Sequence, residues 1–423
     1  MALRDGDLLG HGNPGYRVAH YDLALATKPA TGRLSGKARL TVVASAADAP
    51  LVFDLGPFRV ERVLVDGRPV RWTHRGGKLR VRDRFLVDTP FPVEIRYAGR
   101  PEPVRTRHWG EVGWDELTDG VIVASQPVGA PSWFPCNDLV GAKATFRVAV
   151  TVPTAYTVVA NGVLASRVSG GSATTWTYVA EEPMAPYLAT VQIGPYERNL
   201  LSPGQVLAVS RGLSRAAQHD FARQPRMMRT FTELFGPYPF AEYAVVVTDD
   251  ELEVPVEAQG LSIFGANHVD GRRGHERLVA HELAHQWFGN SVGLAGWQDI
   301  WLNEGFAAYA EWLWSERSGG PAAAVLATRS RALLASRPQN LRIGDPPARD
   351  MFDDRLYQRG ALTLHTLRTL LGDDVFFALL REWTTTHRHG TVVTADFVTL
   401  AQHHAGRSLT SFFDHWLYQP ALP

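Results

Sequence analysis

A single cysteine, Cys136, occurs in 423 residues, which excludes an intramolecular disulfide framework and is compatible with a reducing compartment. Net charge is absent as well: 43 Lys and Arg balance 43 Asp and Glu, so nothing draws the chain to nucleic acid or to a membrane surface. No apolar run approaches the length that spans a bilayer, and residues 1–10 are too polar for the core of a signal peptide. Low-complexity tracts and internal repeats are missing too. These absences predict a cytoplasmic protein without nucleic-acid or membrane partners, although a processed precursor is compatible with the same chain. The sequence is silent on oligomeric state.

Its length allows about three domains and an ample core. From about residue 16 to 198, short β-branched and aromatic runs alternate with turn residues; examples are 17–25, 38–44, 51–55, 60–65, 93–97, 146–152 and 176–179. Asp66-Gly67 and Asn161-Gly162 are hairpin signals, because both residue types accept positive φ. From about residue 216 the apolar period becomes helical, with candidates at 218–235, 276–287, 304–317, 322–335, 360–371, 374–387, 395–405 and 409–417. The composition shift near 198–203 predicts an α+β chain with an antiparallel β domain, a sandwich or saddle, over 1–198. A mainly helical domain follows over 199–423.

The chemistry concentrates in the second part. Residues 278–289 read Leu-Val-Ala-His-Glu-Leu-Ala-His-Gln-Trp-Phe-Gly, good helix formers until the closing glycine. A step of four places His281 and His285 on one face, about one turn apart, where they can chelate one ion. Glu282 stands beside that face, within reach of a water. After a loop rich in Gly, Asn and Ser, residues 297–314 read as a second helix that presents Glu304 to the same point. Two histidines and a carboxylate leave the fourth position of a tetrahedral zinc open, the pattern of a catalytic site and not of a closed structural one. Glu311, seven residues after Glu304 on the same helical face, is placed to accept a hydrogen bond from one of the histidines. One Zn2+ per chain is the implied cofactor, favoured over manganese or cobalt by ligand type. A zinc hydrolase of the thermolysin fold type is the reading this set supports. A helix with this spacing can also be an ordinary core helix, but the apolar flank at 278–280 and Asn303-Glu304-Gly305 weigh against that.

These strings, with Trp-Phe-Gly-Asn after His285 and Trp-Leu-Asn-Glu-Gly-Phe-Ala around Glu304, resemble the aminopeptidase N family of gluzincin zinc peptidases. Other segments extend the likeness over about residues 16–420. Ser132-Trp-Phe-Pro-Cys-Asn-Asp138 resembles the family's Phe-Pro-Cys-x-Asp segment, and Pro255-Val-Glu-Ala-Gln-Gly-Leu261 occupies the place of its Gly-Ala-Met-Glu-Asn signature. Leu356-Tyr-Gln-Arg-Gly-Ala361 is similar to its Tyr-x-Lys-Gly-Ala motif. The resemblance makes Tyr357 the donor to the developing oxyanion and Glu257 the carboxylate that binds the free α-ammonium of a peptide substrate, with backbone 254–256 pairing to it as an added strand. It assigns Gln126 a share in the amine site. It also implies a short form without the helical C-terminal domain, and hence a more open site, because the chain stops soon after Phe412-Phe-Asp-His-Trp-Leu417. Taken as a residue alone, a tyrosine at a helix start such as Tyr357 is usually a half-buried anchor, and Glu257 has the alternative reading of a solvated glutamate in an acidic loop.

Two departures shape the expectation. Where the family has Gln-x-Glu, this chain keeps Gln126 but has Val128, and the Glu257 signature lacks its Gly, Met and Asn. The leading expectation is a zinc aminopeptidase with Glu282 as general base and Tyr357 opposite the metal. The alternatives are a zinc endopeptidase or small-substrate hydrolase released from the N-terminus, and an inactive binding protein that keeps the fold.

Overall fold

The computed structural model describes residue 8 and residues 10–423; most of the polar opening weighed above, 1–7 and 9, lies outside the described residues. The chain divides into two compact units, Gly10–Ser214 with Phe240–Asn267, and Arg215–Pro239 with His268–Pro423. The composition shift near 198–203 falls inside a hairpin, Glu197–Ser202 with Gln205–Val209, so the β-rich unit runs past it to Ser214.

In the β-rich unit, among the described residues, the largest sheet orders its eight strands as Val163–Gly170, Ala173–Met184, Ala144–Pro153, Tyr16–Lys28, Arg33–Ala44, Pro90–Gly99, Arg59–Val65 and Arg68–Pro69. Strand Arg33–Ala44 shows why it forms: Leu34, Ala38, Leu40 and Val42 face inward and Arg33, Lys37 and Arg39 outward, the period of two of a half-buried strand. The sheet is antiparallel except where Tyr16–Lys28 runs parallel to Ala144–Pro153, with His20 opposite Thr145. Asp66-Gly67 makes the tight turn its residues predict, with φ of 50° and 74°. Asn161-Gly162 does not make a hairpin. Strand Thr157–Ala160 pairs with Val191–Gly194 in one sheet and Val163–Gly170 with Ala173–Met184 in another, so the glycine, at φ 84°, carries the chain between sheets. A further five-stranded sheet ends in Val256–Ala258, an edge strand paired on one side to Leu261–Phe264. Ile263, Leu261, Val246 and Ala208 of this sheet pack on Ile122 and Val159, each fully buried aliphatic side chain contributing about 1.5–3 kcal/mol.

The helical unit comprises α1 (Ser214–Asp220), α2 (Gln224–Phe235), α3 (Glu276–Ala284), α4 (Trp301–Ser318), α5 (Ala323–Ala335), α6 (Asp354–Leu371), α7 (Asp373–Thr386), α8 (Thr394–Ala405) and α9 (Thr410–Phe413). The continuous helix expected over 218–235 is split: Pro225 opens α2 because it has no N–H to give to the preceding turn. Helix α4 is buried nearly all round from Trp301 to Trp314 and forms the middle of the unit. Phe306 of α4 stacks on Phe288 at 4.4 Å and meets Phe397 of α8 edge-on at 5.3 Å.

Helices α4 and α6 touch backbone to backbone. A Cβ on Gly305 would lie 2.8 Å from Gly360 Cα, and one on Gly360 would lie 2.6 Å from Gly305 Cα, so side chains of any size are excluded at this crossing. Gly305 follows Glu304 directly and Gly360 is one helical turn beyond Tyr357, so the crossing fixes how these two side chains stand to each other. Among the described residues no helix is long and apolar enough to cross a membrane.

Candidate metal centre

Helix α3 carries His281, His285 follows one turn later as the residue that caps its C-terminal end, and the first turn of α4 brings Glu304 to them. His281 Nε2 lies 3.5 Å and His285 Nε2 3.4 Å from Glu304 Oε2, with side chains 10%, 2% and 3% exposed. The donor atoms of the three residues all lie within 4.8 Å of one another. A tetrahedral zinc with bonds of about 2.0–2.1 Å has ligand–ligand edges of about 3.3 Å, so the two nitrogen–oxygen separations fit that ion.

The back side of each imidazole is already committed. His281 Nδ1 meets Glu311 Oε1 at 2.8 Å, and His285 Nδ1 meets the Phe288 carbonyl at 3.1 Å. A carbonyl and a carboxylate only accept, so both Nδ1 atoms carry the proton and both Nε2 lone pairs point at the common centre. Burial pushes the Glu304 carboxyl up, but the charges and hydrogen bonds of His285 and His281 outweigh it and hold the group down at about 2. Burial opposes a charged His281, and the carboxylates of Glu304 and Glu311 overcome it and raise this imidazole well above its ordinary value, so its Nε2 lone pair becomes free for a metal only when the Nε2 proton leaves. The two carboxylates thus favour positive charge beside His281, which is the property a metal site needs.

Local structure explains these positions. After α3 the chain reverses through Gly289, whose φ is 117° and where a Cβ would lie 3.1 Å from Asn303 Nδ2 and 3.4 Å from His285 Nδ1. This reversal turns the Phe288 carbonyl back onto His285. The entry to α4 is pinned by Asp299 Oδ1, which accepts from Thr394 N at 2.9 Å and Thr394 Oγ1 at 2.6 Å, while Trp301 Nε1 donates to the same hydroxyl at 2.8 Å. Glu282 is buried on α3 beside His281.

Tyr357 lies in the first turn of α6, whose start is capped by the Asp353 side chain accepting from Arg355 N at 2.9 Å. Its half-buried ring stacks on His281 at 5.9 Å with 16° between planes. Two residues on, the buried Arg359 donates to the carbonyls of Gln419 at 2.6 Å, Trp416 and Pro420 at 2.7 Å, and His415 and Ala421 at 3.0 Å. Burial lowers this guanidinium to about 10. Its five donors serve carbonyls within and just after the irregular turn at Asp414–Tyr418 and tie that segment to α6.

Gln126 and Glu257 come together in the β-rich unit. Gln126 Nε2 donates to Glu257 Oε1 at 2.7 Å, with Glu257 on the edge strand Val256–Ala258 and 9% exposed, which does not fit a solvated loop glutamate. Val128 is buried at 2% exposure. Sequence reasoning missed the Phe288 carbonyl, Arg359 and Arg277, which donates to Glu311; the first is a backbone acceptor that any residue could supply, and Arg359 was read only as motif context.

A model of the peptidase family M1 domain matches residues 220–416, and one of the M1 N-terminal domain matches 116–188. Aminopeptidase M1 of Arabidopsis thaliana is 26% identical over 331 residues, 73% of this chain and 38% of that protein, so the chain spans well under half the length of this relative. Yeast LTA4 hydrolase, 20% identical, shares the fold with a TM-score of 0.83 over 97% of this chain and 69% of the hydrolase. An M1 zinc metallopeptidase mutant of Deinococcus radiodurans, solved bound to a Tyr-Ser-Ala substrate, is 31% identical with a TM-score of 0.90, over 100% of this chain and 99% of its own. With likeness of that extent added to the domain matches, this chain belongs to the M1 family of zinc metallopeptidases.

Proposed function

We propose that the chain is a zinc aminopeptidase that removes the N-terminal residue of peptides. The observation that carries the reading is the cluster of His281, His285 and Glu304, with both Nδ1 atoms committed behind it and nitrogen–oxygen separations of 3.4–3.5 Å. One zinc ion held there supplies a Lewis acid for the scissile carbonyl and acidifies water. Glu282 accepts the water proton on its carboxylate and returns it to the leaving amine nitrogen. The Tyr357 hydroxyl donates to the oxyanion of the tetrahedral intermediate, a contribution of about 3–4 kcal/mol for one well-placed donor. Glu257, oriented by the Gln126 amide, binds the substrate α-ammonium through charge-assisted hydrogen bonds, which an acylated N-terminus cannot return. The open edge of strand Val256–Ala258 accepts the peptide backbone. A cytoplasmic location belongs to the same proposal and rests on the lone cysteine.

Val128 supports a second reading. The amine site has one carboxylate where relatives with Gln-x-Glu supply two, so an endopeptidase or hydrolase with a relaxed need for a free N-terminus keeps the same metal chemistry. A panel of aminoacyl fluorogenic amides and their N-acetyl counterparts, with chelator and with added zinc, separates the two. The expected outcome is chelator-sensitive cleavage of the free amines alone, with Glu282→Gln keeping zinc and losing turnover. Equal cleavage of both sets would assign the second reading, and turnover retained by Glu282→Gln would remove the base from the mechanism.

A further inference from the structure

Arg277 precedes His281 by four residues on α3, so the two side chains rise from the same face of the helix. Between them, reaching across from α4, stands the Glu311 carboxylate. Its Oε1 meets His281 Nδ1 at 2.8 Å, while Arg277 Nη1 lies 3.2 Å from Oε2 and 3.4 Å from Oε1. The Glu311 side chain is 11% exposed and that of Arg277 67%, so the arginine covers the solvent side of a nearly buried pair. We infer that Arg277 is a positioning residue of the metal centre: it clamps Glu311 from outside, and Glu311 in turn fixes the ring plane and tautomer of His281. This inference rests on the zinc reading above.

A carboxylate held at one oxygen can still swing about that contact, and His281 swings with it. A second donor at the other oxygen removes the motion. As an ordinary surface ion pair, Arg277–Glu311 contributes about 0–1 kcal/mol to folding, too little for its loss to be felt in the fold. A direct charge effect has the opposite sign, because deleting a positive charge near a cation site strengthens cation binding. Clamping therefore predicts weaker zinc retention on removal of Arg277, whereas simple electrostatics predicts tighter retention.

The test uses the full zinc-loaded chain and follows transfer of zinc to a chromophoric chelator, alongside the melting temperature of the zinc-free protein. Loss of a hydrogen-bond partner directly behind a ligand lowers metal affinity about 10–100-fold. One step further out, Arg277→Ala is expected to speed zinc release about 3–10-fold, with Arg277→Lys between it and the parent and the zinc-free melting temperature unchanged. In a Glu311→Gln background the same substitution should add nothing, because its route is gone. Unchanged or slower release in Arg277→Ala, or an equal effect with and without Glu311, would overturn the inference. A parent chain that takes up no zinc would overturn the metal reading itself, and this inference with it.

Discussion

Each unit of the molecule buries a cluster of ionisable side chains, and the two clusters are built to opposite ends. In the β-rich unit Asp54 and Asp138 are 2% and 6% exposed. Lys78 pairs with Asp54, Gly12 N donates to the same carboxylate at 2.8 Å, and His11 Nδ1 meets Asp138 at 2.7 Å. That cluster brings its own cations and is satisfied from within the chain. In the helical unit two imidazole lone pairs and a carboxylate oxygen are aimed at one point, and the imidazole protons are spent on acceptors behind them. The direction of the lone pairs, more than the number of charged residues, separates a metal centre from a structural charge cluster.

Exchanging one charge in each cluster should break the comparison if it is wrong. The largest effect is expected from Glu304→Gln, which keeps the shape of a ligand and removes its charge. Zinc affinity should fall by more than the roughly hundredfold that a partner behind a ligand commands, and turnover should fall with it. The zinc-free fold should lose some stability as well, because the buried His281 and His285 imidazoles lose their carboxylate partner. Zinc content after dialysis and a urea titration measure both. Lys78→Met should affect folding alone: it strips the cation from a buried carboxylate, at a cost of about 3–5 kcal/mol in folding free energy, and leaves zinc uptake intact. A folded Lys78→Met protein that no longer holds zinc would contradict the separation of roles.

The helical cluster was legible in the sequence because its geometry is local. A step of four residues on a helix brings His281 to His285, and a step of seven puts Glu311 on the face of Glu304; the spacing carries those contacts. The β-rich cluster joins His11, Asp54, Lys78 and Asp138 through strands whose pairing no local pattern dictates, and none of it was foreseen. Asn161-Gly162 shows the same limit, since turn chemistry allows the chain to reverse but does not say which strand it will meet. The parallel pairing of Tyr16–Lys28 with Ala144–Pro153 is non-local in the same way. The proposed roles of Tyr357 and Glu257 came from family likeness and not from pattern, because a tyrosine at a helix start and a glutamate in an acidic stretch have ordinary explanations.

The contact of Gly305 with Gly360 offers a smaller, sharper test within the helical unit. Gly360→Ala gains about 1 kcal/mol of helix propensity and meets backbone at 2.6 Å, an overpacking that costs about 1–3 kcal/mol. A lower melting temperature is expected, with zinc retained and kcat reduced, since α6 carries Tyr357 away from α4 when the crossing opens. A variant as stable and active as the parent would show that the crossing does not set the site.

The smallest effect distinguishes the clusters by pH. Burial opposes a charged His11, and the hydrogen bond and charge of Asp138 overcome it, so the His11 value is raised above 6.5; burial likewise pushes the Asp138 carboxyl up, against the pull of His11. Both shifts mean that the folded chain binds protons more tightly than the unfolded one. The His11 contribution is therefore fully present below pH 6.5 and is lost as pH rises through the raised value. The loss is on the order of 1 kcal/mol, the scale of one hydrogen bond. Urea titrations of the zinc-free protein across that range should show stability falling with pH, through His11 and through His281, which is raised in the same direction, and His11→Ala should reduce the slope. Zinc retention should move the other way, because its ligands bind metal only when deprotonated. A slope unchanged in His11→Ala would place the titrating group elsewhere and remove the proton from the account of how the β-rich cluster is held.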